Sequence, residues 1–213
     1  MTTPFAPELT RVPSPADLTP GDQETVRTSD FDESSEDRRI LAAAGEILGQ
    51  GEALLRMLSA ESYVRKLPAA FNGTIGGHIR HCLDHFSSLL RGLDADLVDY
   101  DHRERDPRIE SDPAFAVEIL RRLRAELERM EPGTLATPVF ARCEVSYDHG
   151  DSPVTRSSVG RELVYAVAHG IHHYAIISVM ARMMGVELPP HFGVAPSTVA
   201  HRRSLSATEH NHT

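Results

Sequence analysis

The chain has 213 residues, 40% of them hydrophobic, no tryptophan and a formal net charge of −9. That length suits one domain with tails, large enough to bury a real core, and the acidic balance excludes a nonspecific binder of nucleic acid or of anionic membranes. Cys82 and Cys143 form no closely spaced pair, so reduced thiols in a cytoplasmic protein are expected rather than a disulfide framework.

Residues 1–35 are rich in Pro, Thr, Ser and acids and lack apolar periodicity, which reads as a disordered acidic tail. Residues 1–37 carry nine acids against Arg11 and Arg27, so most of the net charge sits there. The start has neither the basic nor the apolar region of a signal peptide. A domain is expected over 36–190. Its first helix begins near Asp37, with Ile40, Leu41, Ala44, Ile47, Leu48, Gly51, Leu54, Leu55 and Leu58 at three- and four-residue spacing. Asn72-Gly73 marks a turn, and Thr74 can cap a second helix running to about Leu93. Ser111-Asp112-Pro113 offers a cap and a proline for a third helix, which carries Ala116, Ile119, Leu120, Leu123, Leu127 and Met130 on one face. Glu131-Pro132-Gly133 ends it.

The texture then changes. "TPVFARCEVSYD" and "SPVTRSSV" are rich in β-branched and aromatic residues and flank "HGD", as in a hairpin. Ser157 or Ser158 can cap a fourth helix, with Glu162 near its positive end. The apolar run 159–185 contains Arg161, Arg182 and the histidines at 169, 172 and 173, making it a poor membrane span and a good buried helix. Pro189-Pro190 stops the pattern, and 191–213 reads as a C-terminal loop and tail. The expected fold is all-α: a four-helix bundle with a short β-hairpin insertion before the last helix and disordered termini.

The fourth helix contains "YAVAHGIHHYAII". His169 and His173 stand one turn apart on one face, on a stripe shared with Ala166, Ile176, Met180 and Met184, while His172 turns aside. The second helix contains "GTIGGHIRHCLDHFSSLL", in which His78, His81 and His85 share a face beside the apolar stripe of Ile75, Ile79, Cys82, Leu83, Phe86 and Leu90. Buried imidazoles need a polar partner or a metal. Two readings stay open on spacing alone: a polar seam of hydrogen-bonded core histidines, or one imidazole from the second helix and two from the fourth meeting at an ion. Three neutral imidazoles suit Zn, Ni, Fe(II) or Cu and leave a coordination position free.

The pairing of "TIGGHIRHCLDHF" with "ELVYAVAHGIHHYAII" resembles the DinB-like superfamily over roughly 36–190. Members place one metal histidine on the second helix and a H-x-x-x-H pair on the last. Matched by motif, the resemblance implies ligands at His81, His169 and His173 around one divalent transition metal, zinc first and nickel or iron as alternatives. Some relatives are thiol S-transferases that use bacillithiol or mycothiol. Others resemble the iron-binding domain of ergothioneine-type sulfoxide synthases, which continue into a second catalytic domain not represented here, so sulfoxide synthesis is not expected. The resemblance also implies a homodimer as the oligomer to look for.

In the connection "YDHRERDPRIE", Arg103 and Arg105 are candidates to hold an anionic substrate, the alternative being a solvated, charge-paired loop. Asp101 or Asp106 could receive an imidazole N–H and orient it. His78, His85 and His172 are candidates for the same outer role. Cys82 reads as a packed core thiol, Cys143 has no evident activating base, and Gly76-Gly77 suits a close helix approach or space beside the site. His201, His210 and His212 can take up metal adventitiously. The expected function is a metal-dependent enzyme activating water or a low-molecular-weight thiol, of S-transferase or hydrolase type, with no catalytic acid or base assignable. The alternatives are a non-catalytic, metal-stabilised, stress-related binding or interaction protein, and a bundle whose histidines satisfy one another without metal. The expected partners are a small thiol or other small molecule, with no nucleic acid and no membrane.

Overall fold

The computed structural model describes residues 32–147 and 150–210. Apart from its last four positions, the expected N-terminal tail lies outside the described residues. Residues 33–35 already belong to helix α1, Glu33–Met57. The other long helices are α3 (Ile75–Ala95), α5 (Pro113–Glu128) and α6 (Val159–Met183). α1 packs on α5 and α6, and α3 packs on α6 and α5, which closes a four-helix bundle. All-α with a short β insertion is therefore the architecture.

Local chemistry sets the helix starts. The Thr74 hydroxyl accepts from the Gly77 N–H at 2.9 Å, opening α3. Asp112 accepts from the N–H groups of Ala114 and Phe115 and, with Pro113 in the first turn, opens α5. Ser158, one of the two expected candidates, caps α6 through the Arg161 N–H at 3.2 Å. Each cap satisfies a donor that the helix cannot. The core joins Leu48 and Leu54 of α1, Ile79, Leu83 and Phe86 of α3, Leu120 and Leu123 of α5, and Leu163, Ile177 and Met180 of α6. By length and composition α6 could cross a bilayer, but it supplies buried positions to this core. Met183, one turn from Met180, is 56% exposed, while Met180 is buried.

The hairpin consists of β2 (Pro138–Arg142) and β3 (Val154–Ser158), antiparallel, with Phe140 opposite Arg156. A third strand, β1 (Leu97–Asp99), runs parallel to β2, pairing Val98 with Ala141. Three residues are too few for a period-two signal, so β1 is invisible in the sequence. It places Tyr100, which is 1% exposed, against α6. Two five-residue helices were also unforeseen, α2 (Ala60–Val64) and α4 (Pro107–Ser111). A Cβ at Gly76 of α3 would collide with the Glu110 carbonyl of α4 and the Tyr63 ring of α2, so glycine there lets the three helices approach. The C-terminal region differs from the expected loop and tail: Pro196–His210 forms helix α7. Its weak apolar periodicity explains why the pattern did not announce it. Before it, Phe192 is buried and stacks on Tyr174, with ring centroids 4.9 Å apart.

Candidate metal centre

α3 and α6 lie side by side, and each presents imidazoles to the seam between them. One ring nitrogen each from His81, His169 and His173 lies within 4.8 Å of the other two. The Nε2 atoms of His81 and His169 are 2.9 Å apart. The rings meet edge to face or tilted, with centroids 4.6 Å apart for His81–His173 and for His169–His173. A tetrahedral zinc site with bonds of about 2.0–2.1 Å separates its ligand nitrogens by about 3.3 Å. Side-chain adjustments well under a helix diameter bring these nitrogens to that spacing, so the residues fit an ion.

The protonation states fit as well. Burial, followed by the neighbouring imidazoles and Arg103, holds His81 down to about 2. Burial and the surrounding histidines hold His173 down to about 3, and burial, His172 and Arg103 lower His169. All three are neutral at physiological pH, the form that offers a lone pair to a transition metal. The cluster has the composition and geometry of a metal-binding site.

Two further histidines surround it. His78 Nδ1 lies 2.9 Å from His173 Nδ1. One of the pair must carry the proton. If His173 donates, its Nε2 lone pair is free for an ion, which makes His78 an outer partner that sets the tautomer. His85 is 2% exposed and donates Nδ1–H to the His81 carbonyl at 2.8 Å. Its ring lies 4.0 Å from that of His169, and burial holds it down to about 4. His172 is exposed, with its ring 5.3 Å from His173.

The candidates in the 100–110 connection separate. Asp106 is spent on capping α4 and pairing with Arg108 at 2.6 Å, and no imidazole reaches it among the described residues. Arg105 is exposed, in the left-handed region at φ 52°. Asp101 accepts from the Glu144 N–H at 2.9 Å, and its other oxygen is buried without a hydrogen-bond partner among the described residues. It orients no imidazole there. Of these, Arg103 is near enough for its charge to lower His81, His85 and His169, and it also acts on the buried Asp84. Its Nε is buried and has no hydrogen-bond partner among the described residues.

Sequence reasoning passed over the wall beside the histidines. Tyr165 precedes His169 by one turn, and its ring is 5.7 Å from that imidazole. Tyr100 stacks on His85 at 5.2 Å and meets Tyr165 edge-on at 5.3 Å. The Tyr100 hydroxyl donates to the buried Glu162 at 2.8 Å, and Ser157 donates to its other oxygen. Glu162 was expected only to complement the helix dipole. The i−4 spacing of Tyr165 from His169 was the available signal; nothing local marked Tyr100 as a neighbour. These tyrosines, with Ala141, Cys143 and Val145, wall a cavity of about 300 Å³. Burial pushes the Cys143 thiol up, as expected for a sulfur lacking a base. Cys82 is wholly buried and likewise raised.

Comparison with known proteins gives three findings. No solved structure matches the chain significantly. A stretch of 105 residues, 49% of the chain, is 34% identical to FK506-binding protein 5 of Rhizopus delemar and covers 27% of it, so the chain spans about a quarter of that relative's length. Residues 50–177, more than half the chain and inclusive of all three clustered histidines, match the family model of the DinB superfamily, and the chain belongs to that superfamily.

Proposed function

We propose that this chain is a divalent-metal-dependent enzyme in which His81, His169 and His173 hold one transition-metal ion, zinc first, and that it acts on a low-molecular-weight thiol or on water as an S-transferase or hydrolase in the cytoplasm. The observation that carries the reading is the convergence of three neutral imidazoles from two helices, with no carboxylate or thiolate joining them as a fourth ligand among the described residues. Three protein ligands are the count of catalytic sites, four that of structural ones. When bound, a divalent ion supplies a Lewis acid that lets water or a thiol lose its proton near neutral pH.

The chain's own residues prepare the site. Burial keeps the imidazoles unprotonated. His78 is placed to take the Nδ1 proton of His173, and the His81 carbonyl fixes the His85 tautomer. Tyr100 and Tyr165 keep aromatic rings beside the cluster, which strengthens the charge interactions within it. The competing reading is a non-catalytic, metal-stabilised binding protein. It is favoured by one observation: the carboxylate nearest the tyrosine wall, Glu162, has both oxygens engaged and offers no evident general base.

Metal titration of the full chain tests the reading. Wild type should bind one equivalent more tightly than any tail site. His169→Ala should lose that tight equivalent, while His172→Ala, altering an exposed ring, should keep it. Unchanged tight binding in His169→Ala would refute the ligand set. Turnover of thiol or ester substrates by the loaded protein would then separate enzyme from binding protein.

A further inference from the structure

We propose that the cavity walled by Tyr100, Tyr165 and Cys143 is a second binding site, and that it takes a small zwitterionic amino acid. The ammonium would lie on Glu162, the carboxylate on Arg161, and a compact apolar side chain against Ala141, Val145 and Pro153. No histidine lines the cavity, so the site stands apart from the metal reading above.

Arg161 and Glu162 are the two charged residues in the wall. They are neighbours in sequence, yet they form no ion pair with each other or with any other described residue. Glu162 is 7% exposed, and its donors are two neutral hydroxyls, those of Tyr100 and Ser157. The positive end of α6 offsets part of its charge. A carboxylate this deeply buried ordinarily has a cation beside it, and each of its oxygens can accept a second hydrogen bond. Arg161 is exposed, and its backbone N–H is taken by the Ser158 cap while the guanidinium stays open to a ligand.

The two signs narrow the ligand class. A simple anion meets Glu162 and a simple amine meets Arg161, so each carries one repulsive contact; a zwitterion carries neither. Tyr100 and Tyr165, edge to face with centroids 5.3 Å apart, add electron-rich rings that favour an ammonium. The fork of one arginine matches a carboxylate. The rest of the wall is mainly apolar and the cavity holds about 300 Å³, the small end of ligand pockets, which suits a single amino acid.

Cys143 reports occupancy, because it lines the cavity while the other thiol, Cys82, is buried. Alkylation of Cys143 by iodoacetamide in the full-length protein is followed by mass spectrometry in the presence of three probes. These are leucine, 3-methylbutylamine, which lacks the carboxylate, and 4-methylpentanoate, which lacks the ammonium. Leucine should protect Cys143 at about tenfold lower concentration than 4-methylpentanoate, the effect of a buried charge-assisted hydrogen bond. Its advantage over 3-methylbutylamine should be about three- to fivefold, since an exposed guanidinium pairs more weakly. Arg161→Met should remove the advantage over the amine, and Glu162→Gln the advantage over the acid. Should Glu162→Gln fail to fold, the wild-type comparison decides. Protection should be the same with zinc supplied or removed by a chelator. Equal protection by the three probes, no protection by leucine, or an advantage over the amine that survives Arg161→Met would overturn the proposal while leaving the metal reading intact. Protection that vanishes with the metal would place leucine on the ion and overturn it as well.

Discussion

At the scale of single residues, the placement of imidazoles in a low-dielectric seam has a measurable consequence without any metal. His81, His173 and His85 are held to about 2, about 3 and about 4, chiefly by burial, against about 6.5 for the same residues in an unfolded chain. Between those limits the unfolded state binds protons on three side chains that the native state leaves bare. Stability therefore rises with pH in that window and is lost as pH falls through 6.5. Urea titrations of metal-free protein should show the midpoint dropping steadily from pH 7 to 5, and His81→Gln should flatten that slope. A wild-type midpoint constant over the same range would contradict the burial of the cluster.

At the scale of elements, the seam depends on how closely α3 is held by its neighbours. Gly76→Ala should push α3 away from α4, costing about 1–3 kcal/mol as overpacking does; Gly45→Ala, where a Cβ meets nothing within 4 Å, should be neutral or stabilising by up to about 1 kcal/mol. Equal denaturation midpoints for the two variants would contradict that packing. The contrast also marks what the sequence can disclose. Long helices announce themselves through repeated apolar spacing and through caps such as Thr74, Asp112 and Ser158. Short elements do not. β1 and α4 are three and five residues long, less than two helical turns or two strand periods, so their existence depends on partners distant in sequence. Within the cluster, the i,i+4 spacing of His169 and His173 was legible because helix geometry alone brings them together. The choice among Asp101, Arg103, Arg105 and Asp106 was not, because a connection has no period and each side chain's direction is set by the chain it crosses.

At the scale of the whole molecule, the bundle and the sheet have separate tasks. α3 and α6 bring the imidazoles to one point, while β1, β2 and β3 carry Tyr100, Cys143 and Ser157 to the flank of that point. The acid-rich composition is concentrated ahead of the bundle, so the folded domain carries less net charge than the chain. The central claim is that one ion sits among three imidazoles and keeps a side open. Anomalous scattering at the zinc edge, from crystals of zinc-loaded full-length protein, addresses it most directly. The account predicts one strong peak bonded to nitrogens of His81, His169 and His173 at about 2.0–2.1 Å, with no fourth protein ligand. A peak confined to other histidines such as His201, or a fourth side chain closing the site, would contradict it.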